Sequence, residues 1–230
     1  MLKKVLKAGI LLSILVIPAS VFIFLNVFGD NKFDLPYFFP ELDETGQVKV
    51  MGTDTVFHQV PNFRLANAEG DTLALKDLDQ SYKAVSFFFS RCGTICPVLN
   101  SNLSRIADSF KGNKEVRFLS ISVDPEYDTP GHLLDYKKEQ GFDQENWNFL
   151  TGNKAYIYDL AIKGFKLPVA DASVYNPDVM DIDEQFIHSE KVLLLDKENF
   201  IRGIYDGTNK DDIERLRLEI KVLLDETKNK

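Results

Sequence analysis

With 230 residues, 44% of them hydrophobic, the chain has the apolar material for a packed core, which excludes global disorder. A net charge of −8, with no Lys or Arg cluster after the first seven residues, argues against nucleic acid as a partner, because phosphate requires a basic face. The length accommodates one domain of ordinary size with a shorter extra segment, or two small domains.

The extra segment comes first. Ala8 to Phe28 is a run of 21 uncharged residues, preceded by Lys3, Lys4 and Lys7 and followed by Asp30. At about 1.5 Å per helical residue it covers the ~30 Å hydrocarbon layer of a bilayer. Residues 1–29 are therefore expected to be a cytoplasmic tip and a transmembrane anchor. The remainder then lies on the extracytoplasmic, periplasmic side, since positive charge stays inside. The run is long for a signal peptide and its end, Asn26-Val27-Phe28-Gly29-Asp30, is a poor cleavage site; Pro18-Ala19-Ser20 keeps cleavage as the alternative. Residues 30–52, with Pro36, Pro40, Gly46 and the aromatics Phe33, Tyr37, Phe38 and Phe39, read as a tether. Its rings suit either the membrane surface or the face of a domain.

Residues 53–230 read as globular. Phe63 and Leu65, the turn Asn67-Ala68-Glu69-Gly70, and Thr72 to Leu75 predict a hairpin. Lys83 to Ser90 is nearly continuous in Val and Phe, the pattern of a strand covered on both faces. Pro97 to Phe110 predicts a helix with Leu99, Leu103, Ile106 and Phe110 on one side and Pro97 at the first helical position. A strand over Val116–Val123 follows, then a helix over Thr129–Gln140 that Gly141 stops, a strand over Trp147–Leu150 and a helix over Lys154–Phe165. Residues 166–183 form a long polar loop. Phe186–Leu195 and Phe200–Tyr205 pair across a turn at 196–199. Thr208-Asn209-Lys210-Asp211, a capping-box-like start, opens a last helix carrying Ile213, Leu216, Ile220 and Leu223. Strands alternating with helices imply a sheet with helices on both faces.

Cys92 and Cys96 are the only cysteines, and they fall between the long strand and the helix after it, where open α/β sheets place their sites. A helix N-terminus favours a thiolate there. An outward-facing domain permits a structural disulfide, but closing so short a loop constrains the unfolded chain little. The Cys-x-x-x-Cys spacing lets both sulfurs point at one external atom with a third ligand from elsewhere. Of the three histidines, His58 and His132, the latter in an amphipathic helix, read as surface or hydrogen-bonded residues, while His188 is open to either that reading or a ligand role. Two thiolates and an imidazole suit Cu(I) and accept Cu(II), whereas a structural zinc site wants a fourth ligand.

The stretch Phe87-Phe88-Phe89-Ser90-Arg91-Cys92-Gly93-Thr94-Ile95-Cys96-Pro97 resembles the signature of the Sco (SenC) family. Three further stretches are similar in the same order: Ile121 to Pro130, which contains Asp124-Pro125-Glu126-Tyr127-Asp128-Thr129-Pro130; Trp147 to Gly152; and Ile187-His188 followed by a hairpin ending Tyr205-Asp206-Gly207. The likeness covers roughly residues 55–225. It implies a thioredoxin-like fold with a central mixed β-sheet flanked by helices and an inserted β-hairpin. It also implies a membrane-anchored metallochaperone that holds copper through Cys92, Cys96 and His188. The copper goes to the CuA site of cytochrome c oxidase subunit II during oxidase assembly, and an upstream copper donor or thiol reductant is then a further partner. The alternative is a thiol-disulfide oxidoreductase in which Cys92 and Cys96 reduce the cysteines of that CuA site. A thiol peroxidase is a third reading, disfavoured by a second cysteine so close to the first. For Asp124 and Asp128 two roles are open: tuning the ligands or meeting a partner, and plain turn and cap chemistry.

Overall fold

The computed structural model describes residues 2–28, 34–167, 170–171, 186–187 and 190–228. The chain divides into two compact units, Met1–Asp34 and Leu35–Lys230. The first holds helix α1, Leu2–Phe28, with Pro18 inside it. Among the described residues no helix is long and apolar enough to cross a membrane. The residues of the expected anchor form a helix.

The second unit is built on a seven-stranded mixed sheet whose strands, from edge to edge, are β11 (Ile201–Asp206), β10 (Lys191–Leu195), β5 (Tyr82–Phe88), β6 (Val116–Ser122), β7 (Trp147–Thr151), β3 (Arg64–Asn67) and β4 (Thr72–Ala74). Strand β5, Tyr82–Phe88, is buried at every residue and pairs in parallel with β6, Val116–Ser122, which pairs in parallel with β7, Trp147–Thr151. Parallel neighbours require crossovers, and helices α2, Ile95–Ser109, and α3, Pro130–Gln140, supply them. Two buried serines in these strands partner each other: Ser86 and Ser120 lie 3.0 Å apart, and Trp147 Nε1 donates to Ser120 Oγ at 3.0 Å. On one side, the hairpin β3, Arg64–Asn67, and β4, Thr72–Ala74, joins antiparallel to β7. On the other, β10, Lys191–Leu195, pairs antiparallel with both β5 and β11, Ile201–Asp206. Asn199, at φ 68°, turns the chain between them. Helix α4, Lys154–Asp159, runs on into a π-type turn, and helix α5, Lys210–Lys228, packs on α2 and β11.

Helix α3 has the ends the sequence predicts: Thr129 caps it, accepting from His132 N, Pro130 opens it, and Gly141 closes it at φ 71°. Three expectations are revised. Helix α2 starts at Ile95, so Pro97 is its third residue; the first four N–H groups of a helix lack intrahelical partners, and a proline is tolerated anywhere among them. The cap of α5 is Asn209, whose Oδ1 accepts from Asp211 N at 2.9 Å, while Thr208 bonds Asp206 instead. The strand expected over 186–195 is split. Phe186–Ile187 (β9) pairs antiparallel with Ala170–Asp171 (β8) in a separate two-stranded sheet, and only Lys191–Leu195 joins the main sheet. The register of β10 follows from the partners its backbone finds on β5 and β11. Of the expected 166–183 loop, residues 168–169 and 172–183 lie outside the described residues.

From Leu35 onward the expected tether belongs to the compact unit. Arg202, nearly buried, donates to Leu35 O at 2.6 Å and Pro36 O at 3.3 Å and stacks on the Tyr37 ring at 4.0 Å. Phe38 N donates to Ile201 O at 3.0 Å, and Tyr37 stacks on Phe57. These aromatics pack on the domain. A short exposed hairpin, β1, Val50–Met51, and β2, Asp54–Thr55, completes this region.

Candidate metal and thiol site

The site lies beyond the C-terminal ends of β5 and β6, where the chain leaves β5 through Phe89-Ser90-Arg91 and enters α2. Cys92 and Cys96 are both free thiols, 5% and 2% exposed, so each sulfur sits just under the surface. Cys96 is the second residue of α2, and its N–H donates to Cys92 Sγ at 3.3 Å. Thr94, at the cap position, makes no side-chain cap; the Cys92 sulfur takes a helix N–H in the way a capping oxygen does. Thr94 Oγ1 stands 3.8 Å from the same sulfur. These donors lower the Cys92 thiol from 9.0 to about 5: the Cys96 side chain contributes most, burial opposes it, and the N–H groups of Cys96 and Thr94 add to the effect.

The loop Asp124–Asp128 after β6 braces the residues before Cys92. Asp128 is wholly buried and accepts from Ser90 N at 3.1 Å, from Ser90 Oγ and from Ser122 Oγ at 2.5 Å. Arg91 donates through Nε at 3.1 Å and through Nη2 to Asp124 Oδ2, and its guanidinium lies 4.2 Å over the Tyr127 ring. Burial raises the Asp124 carboxyl and Arg91 opposes the shift. Both aspartates thus do more than shape a turn, since each holds a residue of the cysteine loop. Beneath the site, Asn100, one turn after Cys96, donates to the Tyr136 hydroxyl at 3.0 Å, and burial pushes that phenol up to about 12.

Of the three expected ligands the structure brings two together. His188 lies outside the described residues, and among the described residues no group of three or more His, Cys, Asp or Glu side chains could hold a metal ion. The other histidines have local partners: His58 Nε2 is 2.8 Å from Gly164 O, and His132 packs on Tyr127 with Nδ1 3.6 Å from Asp128. Ser90, Arg91, Ser122, Asn100 and Tyr136 were not singled out from the sequence. Only Asn100 carried a local signal, the helical i+4 spacing from Cys96.

This arrangement has counterparts among known proteins. A SCO1/SenC family lipoprotein from Bacillus anthracis superposes with a TM-score of 0.63 at 27% identity, covering 73% of this chain and 95% of that one. BsSco, described as a member of the Sco family of cytochrome c oxidase assembly proteins with a disulfide switch, superposes with a TM-score of 0.58 at 27% identity, over 71% of this chain and 92% of its own. Copper-bound ScoI from Bradyrhizobium japonicum shares the fold, with a TM-score of 0.59 at 20% identity over 72% and 99% of the two chains. The SCO1/SenC family model itself matches residues 52–224. Sheet, cysteine loop and helix α2 all fall within that match, and the chain belongs to the SCO1/SenC family.

Proposed function

We propose that this chain carries copper to the CuA site of cytochrome c oxidase subunit II during oxidase assembly, holding it through Cys92, Cys96 and His188. The observation that carries the reading is the placement of two free thiols at the junction of β5 and α2, with the Cys92 sulfur already held by donors that favour the thiolate. Thiolate sulfur is the soft donor that suits Cu(I), and copper-bound ScoI, of the same fold, supports the choice of metal. The description of BsSco supports the oxidase as the destination. In this reading copper is the cargo. A small ligand set just under the surface allows an acceptor thiolate or imidazole to bind before a donor ligand leaves. Helix α1 serves as the anchor, with Lys3, Lys4 and Lys7 on the cytoplasmic side and the domain facing outward.

The test is an anaerobic titration of the reduced protein with Cu(I). One equivalent is expected to bind, Cys92→Ala to abolish binding and His188→Ala to weaken it about tenfold or more. Unchanged affinity in His188→Ala removes that residue from the ligand set.

A second reading is favoured by the lowered Cys92 thiol beside a buried Cys96 and by the disulfide switch described for BsSco. Here the dithiol reduces the disulfide of an apo CuA site: the Cys92 thiolate attacks one partner sulfur, the other leaves as a thiolate, and Cys96 then displaces the first. Two electrons pass to the partner, and the cysteine pair ends as a disulfide. Reduction of the apo-site without copper, retained in His188→Ala, separates this role from transfer. The two roles are compatible, since a disulfide cannot take up copper.

A further inference from the structure

Asp128 is the most heavily buried acid near the thiols, with no solvent exposure at all. A carboxylate in such a place is costly unless its oxygens are filled with donors. Two of its donors, N–H and Oγ, come from one residue, Ser90, two positions before Cys92; the third is Ser122 Oγ at the end of β6. The turn that presents Asp128 is closed on itself, with Asp128 N donating to Asp124 O at 2.9 Å and Tyr127 N to the same oxygen at 3.1 Å. The backbone just before Cys92 is thus held from the β6 side, and Cys92 N itself donates to Phe89 O at 3.2 Å.

We propose that Asp128 is a positioning residue for the dithiol: by gripping Ser90 through main chain and side chain, it sets where Cys92 Sγ stands relative to Cys96. The proposal rests on the reading of Cys92 and Cys96 as a working pair, whether for copper or for disulfides. Its measure is the rate at which Cys96 attacks a mixed disulfide on Cys92. In that step the Cys96 thiolate, its proton lost to solvent, bonds the Cys92 sulfur, the bond to glutathione breaks, and the glutathione thiolate leaves. Effective concentration governs such a closure, and a displacement of about 1 Å can cost up to a hundredfold.

Copper-free, full-length protein in detergent is mixed with oxidised glutathione at fixed pH, and closure is followed as release of the second glutathione. Asp128→Asn is expected to slow closure about tenfold or more, and Ser90→Ala, which leaves the main-chain bond, by a smaller factor in the same direction. Ser122→Ala removes the third donor, and with it the acceptor of Asp124 N at 3.1 Å, while both Ser90 bonds to Asp128 stay in place; it should lower the melting temperature and leave closure within about twofold. If Asp128→Asn does not fold, Ser90→Ala decides alone. Closure at the wild-type rate in Ser90→Ala and in any folded Asp128→Asn overturns the proposal, as does Ser122→Ala slowing closure as much as Ser90→Ala. A wild-type chain that never closes fails the working-dithiol reading, and one that closes but binds no copper fails the copper reading alone.

Discussion

Removing the Cys96 side chain should change how Cys92 reacts with pH, and the size of the change follows from the site. With its thiol at about 5 and not 9.0, Cys92 is about 99% thiolate at pH 7, where an ordinary cysteine is roughly 1% ionised. The hundredfold gain in thiolate does not become a hundredfold gain in rate. Nucleophilicity falls with basicity at a Brønsted slope of about 0.4–0.5, so a four-unit drop costs roughly 40- to 100-fold. The two effects nearly cancel at pH 7, and burial of the sulfur slows the reaction further. The informative observable is therefore the shape of the profile. Alkylation of the reduced, metal-free protein by iodoacetamide, with Cys92 located by peptide mass, should inflect near pH 5 and be flat from about pH 6 to pH 8. In Cys96→Ala the largest source of the lowering is gone, and the inflection should move upward. A wild-type rate that still climbs about tenfold per pH unit between pH 6 and pH 8 refutes the argument, because it means the donors around the sulfur do not hold a thiolate.

Two further predictions concern the frame around the site. Lys83, at the far end of β5, is fully buried with Nζ donating to Asn199 Oδ1 at 2.7 Å, and burial pushes its ammonium down to about 8 from 10.5. Between those values the unfolded chain binds the extra proton, so stability should rise as pH climbs from about 8 to 10.5, by up to about 3 kcal/mol, and Lys83→Met should remove that rise in denaturant titrations across the range. Gly207 lies where an added methyl would meet Leu99 side-chain carbons at 2.8 Å and Glu190 O at 3.0 Å. Gly207→Ala should therefore destabilise by about 1–3 kcal/mol in thermal unfolding, and an unchanged melting temperature would show that Leu99 and the β10 edge give way freely.

The parts of this fold that sequence revealed are those set by local chemistry. The run Ala84–Phe89, apolar except at Ser86, has the pattern of a covered strand. Thr129-Pro130 and Gly141 bracket α3 because a cap oxygen, a fixed φ and a left-handed residue act within a few positions. The cysteine pair was legible for the same reason. What was hidden depends on distant partners. The break between Phe186–Ile187 and Lys191 arises because Phe186–Ile187 pairs with Ala170–Asp171, a pairing no local pattern announces. Arg202 reaches the carbonyls of Leu35 and Pro36 across more than 160 positions, so the docking of the tether could not be read from its own composition. Ser90 and Ser122 look like ordinary strand-end serines until Asp128 lies between them. His188, chosen from the family likeness, lies outside the described residues, and its approach to the sulfurs stays with the copper titration.

The clamp of Arg202 on Leu35 and Pro36 has a mechanical consequence. It sits beside Ile201 and Asp196, at the pole of the sheet where β5 begins, while the thiols lie past the pole where β5 ends. Strand β5 alone, at about 3.3 Å per residue, sets some 20 Å between those poles. The chain enters the domain at one end of β5 and presents the two thiols at the other. On the proposed reading, an acceptor that reaches the thiols therefore meets the domain some 20 Å from the point where Leu35 enters it.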